Sequence, residues 1–394
     1  MGGGNIRKVI RRITLNISPE MEKKCNYPNH YDLVSCENCG MLFADIGVTK
    51  EDVDNYYVNC NMYDNKSDVQ KGVYNEVCEL YYRAIEPYIT KKSRIIDIGC
   101  GSGEFLRYLK DKGYENVYGM DPAKESVQKL EDSGIKGTVC SIYDEIPKEL
   151  INSFDVVVCT FVFEHLLLPD ICLKNMLRLM DTKGIFYIAV PAAEGYKDYL
   201  REEPNYFNQE HINYFTVKTL DYFCARNGLQ RCSPEKECYH VMCPAFPEMA
   251  ISVVYRKSGN VVFEMERDDS GERSAELYFS KIDQKHQWQK NLVKDLLKEE
   301  SKLIIWGTGA FASSFIKEIP ELLNQVICFV DNDVRKQENT FFGKTVISPK
   351  ELKRYQEVPI VVCVMIDSQR IKEQMETLNL SNSTLFLCNA KDED

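Results

Sequence analysis

The stretch Ile95-Ile96-Asp97-Ile98-Gly99-Cys100-Gly101-Ser102-Gly103-Glu104-Phe105 restricts the fold of this 394-residue chain more than any other. A short apolar run, the length of a buried strand, passes through G-x-G-x-G into residues with helical spacing, Glu104 to Lys112. Glycine at 99, 101 and 103 leaves the backbone bare, so a ligand can lie against it. Further strand-like runs follow at 116–120, 137–140, 154–160 and 184–190, with a helical pattern at 124–133 and a glycine-stopped one at 217–229. Strands alternating with helices imply βαβ units and a parallel sheet. The expected class is α/β, with a Rossmann-like core.

The glycine loop alone is ambiguous, because dehydrogenases carry a similar turn. Here the spacing is G-x-G-x-G rather than G-x-G-x-x-G. Asp97 sits inside the strand end. Asp121, 18 residues after Gly103, closes the next strand, where a carboxylate can accept hydrogen bonds from both hydroxyls of a ribose.

These features resemble the class I methyltransferase family over residues 78–235. The resemblance implies S-adenosylmethionine as cofactor. Gly99, Cys100, Gly101 and Gly103 would cradle its methionyl and ribose part. Asp97 would hold the loop and the methionyl amine, and Asp121 the ribose. Phe154 to Thr160, followed by Phe163-Glu164-His165, matches the fourth strand and the turn facing the sulfonium. Thr160, Glu164 and His165 are therefore expected at the cofactor, with Glu164-His165 shaping the pocket floor. No acidic residue at Cys140-Ser141-Ile142-Tyr143 marks an adenine site.

Upstream, Cys36-Glu37-Asn38-Cys39-Gly40 has the spacing of a zinc knuckle. Cys25, Cys36 and Cys39 are the expected ligands of one structural zinc, with His30 or Cys60 as the fourth. Most of the 16 cysteines lie in apolar runs and are expected to be reduced core residues of a cytoplasmic chain.

From about residue 302 a second pattern of this kind begins, with Gly307, Gly309 and Asp331 in corresponding places. The expected organisation is an N-terminal knuckle segment (1–70), a methyltransferase core (71–240), a hairpin with a connecting helix (241–300) and a C-terminal Rossmann-like domain (301–394). The hairpin is expected to pair Ile251–Tyr255 with Asn260–Met265, and Ile360–Met365 is expected to be the last strand. A knuckle, a methyltransferase core and such a C-terminal module together resemble the sugar C-methyltransferase family, which methylates nucleotide-linked keto-sugars. Tyr206 to Thr216 carries that resemblance through its Glu210-His211 pair. His211 is the expected base and Glu210 its orienter.

The expected reaction is methyl transfer to a small polar acceptor, a nucleotide-activated sugar, with methylation at carbon. Methylation of oxygen or nitrogen on another metabolite is the alternative, and a non-catalytic binding protein the third. A net charge of −11 argues against a nucleic-acid partner, and no apolar run reaches the ~18 residues of a membrane span. The oligomeric state stays open.

Overall fold

The computed structural model describes residues 7–15, 27–59, 68–199, 206–242, 248–259, 261, 263–364 and 368–387. Described residues through 278 form one compact unit, and those from 279 onward a second. No helix among the described residues is long and apolar enough to cross a membrane.

The chain opens with three antiparallel strands, β1 (Arg7–Thr14), β2 (His30–Cys36) and β3 (Leu42–Asp45). This segment has more regular structure than its weak apolar periodicity suggests. Half of the residues of the outer strand β1 are charged, and only Ile13 along it is fully buried. Such composition suits an edge, and it conceals the strand from a reading of hydrophobic pattern.

A main sheet follows, built from β4 (Ile95–Ile98), β5 (Val117–Asp121), β6 (Lys136–Val139), β7 (Phe154–Thr160) and β8 (Met180–Pro191). β9 (Asn213–Tyr214) leaves it to pair with β3, so the small sheet has the order β1-β2-β3-β9. β10 (Leu229–Arg231), β11 (Tyr239–Met242) and β12 (Glu248–Lys257) complete the main sheet. Its order is β10-β12-β8-β7-β4-β5-β6, with β11 also on β12. β6, β5, β4, β7 and β8 are parallel, and β12 runs antiparallel beside β8.

Alternate residues of these strands enter two cores. Ile96, Ile98, Val157, Cys159, Phe186 and Ile188 face one, and Ile95, Val156, Val158, Ile185, Tyr187 and Ala189 face the other. Burial on both faces explains the near-continuous apolar runs, since a parallel sheet is covered by helices on each side. On the second face the helix Glu104–Asp111 buries Phe105, Leu106 and Leu109. Emptying one such position, as in Leu106→Ala, typically costs about 2–5 kcal/mol.

Two expectations are corrected. The partner of β12 in its hairpin is β11, with Tyr239 opposite Ile251 and Met242 opposite Glu248. Residues 263–269 form no strand. They carry Glu264, Glu266, Arg267, Asp268 and Asp269, a density of charge that no half-buried strand accommodates. Nor is the strand at 360 the last.

In the second unit β13 (Leu303–Trp306), β14 (Val326–Val330), β15 (Thr340–Phe341), β16 (Lys344–Ile347), β17 (Ile360–Val362) and β18 (Thr384–Phe386) form a sheet of order β15-β16-β14-β13-β17-β18. The helix Ser368–Thr377 lies between its last two strands in sequence. β18 escapes a periodicity reading because its three residues are each only half-buried.

Candidate active site

Strand β4 has β5 on one side and β7 on the other, so chain connections leave it in opposite directions. Ligands of such sheets bind outside the carboxyl ends of the strands at that switch. The loop 99–103 lies there. Gly99 has φ +70°, and a Cβ on it would sit 2.5 Å from Val162 Cγ2. Glycine thus lets the loop after β7 close onto the loop after β4. Gly101 has φ +52° with nothing within 4 Å of a built Cβ. Its bare face is open.

Two carboxylates flank this loop. Asp97, 4% exposed, has no hydrogen-bond partner for Oδ1. Burial raises its pKa to about 8, with the charges of Asp121 and Glu104 adding to the effect. Asp121, 8% exposed, accepts from Gly101 N and Ala123 N, each at 2.9 Å. Burial pushes its carboxyl up, and these two donors partly restore it. An ionised carboxylate offers about four acceptor positions, so Asp121 retains capacity for a diol. A buried carboxylate with an empty oxygen calls for a cation. S-adenosylmethionine presents an ammonium and a ribose diol, and the residues present fit it.

Cys100 has a structural place. Its Sγ donates to Gly101 O at 3.5 Å and fills the space a Cβ on Gly119 would occupy, 2.7 Å away. Burial pushes its thiol up, so thiolate chemistry is suppressed. Thr160 ends β7, half-buried. Next to it Phe161 has φ 53°, a conformation that costs a bulky residue energy and recurs where a loop is shaped for a ligand.

The turn Phe163-Glu164-His165 is stitched to the segment 206–216. Ile212 N donates to Glu164 O at 2.7 Å. Asn213 Nδ2 reaches Phe163 O at 3.2 Å and Leu166 O at 2.6 Å. His165 Nδ1 lies 3.0 Å from Glu210 O. The two imidazoles, His165 and His211, are thereby brought together, with ring centroids 5.0 Å apart. Burial lowers the pKa of His165, opposed by the charge of Glu210 and the bond to its carbonyl. Glu164, 1% exposed, has no hydrogen-bond partner at either oxygen, and burial raises its pKa well above the ordinary carboxylate range.

The carboxylate of Glu210 accepts from Tyr56 Oη at 2.8 Å, and its carbonyl meets His165. His211 is anchored through its backbone N–H, which donates to Asn208 Oδ1 at 2.9 Å. The helix Val217–Ala225 is capped reciprocally by Thr216 and Thr219. The roles of Asn208, Asn213 and Tyr56 were not foreseen. An asparagine-rich run around a Glu-His pair was the visible signal.

The Cys36–Cys39 turn closes through Gly40 N to Cys36 O at 2.7 Å. Burial pushes the Cys36 thiol up, but backbone N–H groups of Cys39 and Asn38 and the Cys39 side chain outweigh it, and its pKa is lowered. Burial raises that of Cys39. Cys25 and Cys60 lie outside the described residues. His30 begins the seven-residue strand that Cys36 ends, so their backbones stand about 20 Å apart, too far to share one ion.

In the second unit, Asp331 occupies the place that Asp121 holds in the first, but its carboxylate is filled. Thr308 N and Oγ1, Asp333 N and Lys336 Nζ all meet it. A ribose would have to displace these groups.

Residues 69–232 match the family described as Methyltransferase domain. That stretch is a methyltransferase domain. Residues 299–386 match a second family, described as C2185-like, N-terminal. The ubiquinone biosynthesis O-methyltransferase of Bos taurus mitochondria is 28% identical over 104 residues, covering 24% of this chain and 28% of that protein. Its counterpart in Neisseria meningitidis is 24% identical over 102 residues, covering 24% of this chain and 43% of its own. The chain thus spans about three-tenths to four-tenths of the length of these curated relatives. Among solved structures, the 1,6-didemethyltoxoflavin-N1-methyltransferase of Burkholderia thailandensis, with 1,6-didemethyltoxoflavin and S-adenosylhomocysteine bound, aligns at 14% identity. That match covers 55% of this chain and 95% of the other, with a TM-score of 0.41. The methyltransferase domain contains the loop 99–103, both flanking carboxylates and the Glu164-His165-His211 cluster.

Proposed function

We propose that the chain transfers the methyl group of S-adenosylmethionine to a small polar acceptor bound beyond the carboxyl ends of β4, β7 and β8. The observation that carries this reading is Asp97. A buried carboxylate with an unmatched oxygen, beside a bare glycine loop in a methyltransferase domain, suits the methionyl ammonium. When bound, the cofactor supplies an electrophilic methyl carbon on a sulfonium. Asp97 would hold its ammonium and Asp121 its ribose. His165 and His211 would activate the acceptor by removing or displacing a proton. The acceptor atom would take the methyl carbon, the carbon–sulfur pair leaving with sulfur.

A nucleotide-activated keto-sugar methylated at carbon is the acceptor the sequence resemblance supports, through an enolate whose oxygen these imidazoles would face. Recognition of its nucleotide is assigned to the C-terminal unit on that resemblance alone. Methylation at oxygen is the second reading, favoured by similarity to the ubiquinone O-methyltransferases. The knuckle is assigned one structural zinc on Cys25, Cys36, Cys39 and Cys60, which elemental analysis of chelator-free protein checks.

The test is turnover of S-adenosylmethionine against a panel of nucleotide keto-sugars and phenols, with wild type and His211→Ala. The variant should lose about 10²–10⁴-fold in rate while keeping its affinity for S-adenosylhomocysteine. Normal turnover in a folded His211→Ala would remove His211 from the reaction.

A further inference from the structure

One ligand atom each from Glu164, His165 and His211 lies within 4.8 Å of the other two. The Glu164 Oε1 to His165 Nε2 distance is 3.7 Å. Two imidazoles and a carboxylate are a donor set that first-row divalent cations take, leaving positions open for other ligands. Around an ion with bonds of about 2.0–2.2 Å, neighbouring donors stand roughly 3–3.5 Å apart. Closure by about an ångström would bring these three to that spacing.

The surroundings point the same way. A carbonyl oxygen can only accept, so His165 must donate from Nδ1 to Glu210 O, which leaves the lone pair on Nε2, facing Glu164. Fixing one ring nitrogen on a backbone carbonyl is how metal-bound histidines are oriented. The carboxylate of Glu164 is almost fully buried with neither oxygen hydrogen-bonded. Nothing in an apolar core explains such a group. Its main chain is pinned at the same place by Ile212 N.

We propose that Glu164, His165 and His211 hold a divalent transition-metal cation whose open positions receive an oxygen of the acceptor. This rests on the methyl-transfer reading and names its acceptor class, a hydroxyl or an enolisable ketone. With the cation bound the two imidazoles act as ligands and no longer as bases: the acceptor loses its proton to solvent and its negative oxygen is stabilised by the cation. The attacking atom, oxygen or enolate carbon, then bonds to the methyl carbon as the carbon–sulfur bond breaks toward sulfur.

The test uses Co2+ as probe. The full chain, carrying Cys36→Ser and Cys39→Ser to remove the paired thiols of the knuckle turn, is stripped with chelator and titrated with cobalt chloride. Visible absorption is followed, and S-adenosylhomocysteine affinity is measured on the same sample. The expected result is one equivalent of Co2+ with ligand-field bands and no sulfur charge-transfer band. In Glu164→Gln, Co2+ affinity should fall at least about tenfold with melting temperature unchanged, since glutamine mimics a protonated carboxyl but not a ligating one. Absence of the bands, or equal Co2+ affinity in folded Glu164→Gln, overturns the proposal. If Glu164→Gln does not fold, the titration of the chain carrying Cys36→Ser and Cys39→Ser alone decides. Bands without S-adenosylhomocysteine binding would sink the methyl-transfer reading and leave the metal site. Binding without bands would do the reverse.

Discussion

His165 donates through Nδ1 to the main-chain carbonyl of Glu210 at 3.0 Å, across 45 residues of sequence. That bond, with Ile212 N to Glu164 O at 2.7 Å and the double reach of Asn213, fastens the loop after β7 to the segment after β8. The candidate site is therefore made of two loops held to each other mainly through backbone carbonyls.

Asn213 is where this fastening can be cut. Asn213→Ala leaves the carbonyls of Phe163 and Leu166 without their buried donor. A loss of about 1–3 kcal/mol in stability is expected, together with reduced turnover as His165 and His211 lose their relative placement. Denaturant unfolding and rate measurements check both. Unchanged rate and stability would mean that the fastening is dispensable.

Much of the α/β pattern was legible because burial on both faces of β4, β7 and β8 writes long apolar runs, and the glycine loop stands out between strand and helix. The union of Glu164, His165 and His211 was not. Its ties run to main-chain atoms, which every residue has, so only Asn213 and Asn208 left a trace in the sequence. The strands β1 and β11 were hidden for another reason. One is charged on an edge, and the other is a run of four residues, Tyr239-His240-Val241-Met242, too short to show a period.

The glycines of the loop should separate stability from binding. In Gly99→Ala the new methyl meets Val162 at 2.5 Å, whereas in Gly101→Ala it meets nothing within 4 Å. Both pay about 1–2 kcal/mol for a left-handed conformation. Gly99→Ala should lower the melting temperature further, and Gly101→Ala should lower S-adenosylhomocysteine affinity more than stability. Thermal scans paired with calorimetric titrations test this. The reverse order would mean that the open face of Gly101 is not where the ligand lies.

Asp97 predicts a proton count. With a pKa of about 8 it is mostly protonated at pH 7, and pairing with an ammonium would pull that pKa down. Binding S-adenosylhomocysteine at pH 7 should therefore release close to one proton, visible as a dependence of the measured heat on buffer ionisation. Asp97→Asn should abolish the release and weaken binding. Because the folded pKa is raised above ~3.9, the stability linked to this group is lost as pH rises toward and through 8. The ligand-free variant should accordingly be the more stable form at pH 8.5.

The most direct test of the central claim is calorimetric titration of S-adenosylhomocysteine into wild type and Asp121→Ala. The account predicts one site per chain in wild type. Each lost charge-assisted bond to the ribose costs roughly 1.5–3 kcal/mol at most, so the folded variant should bind at least about tenfold more weakly. No binding by the wild type, or equal affinity in the variant, would contradict it.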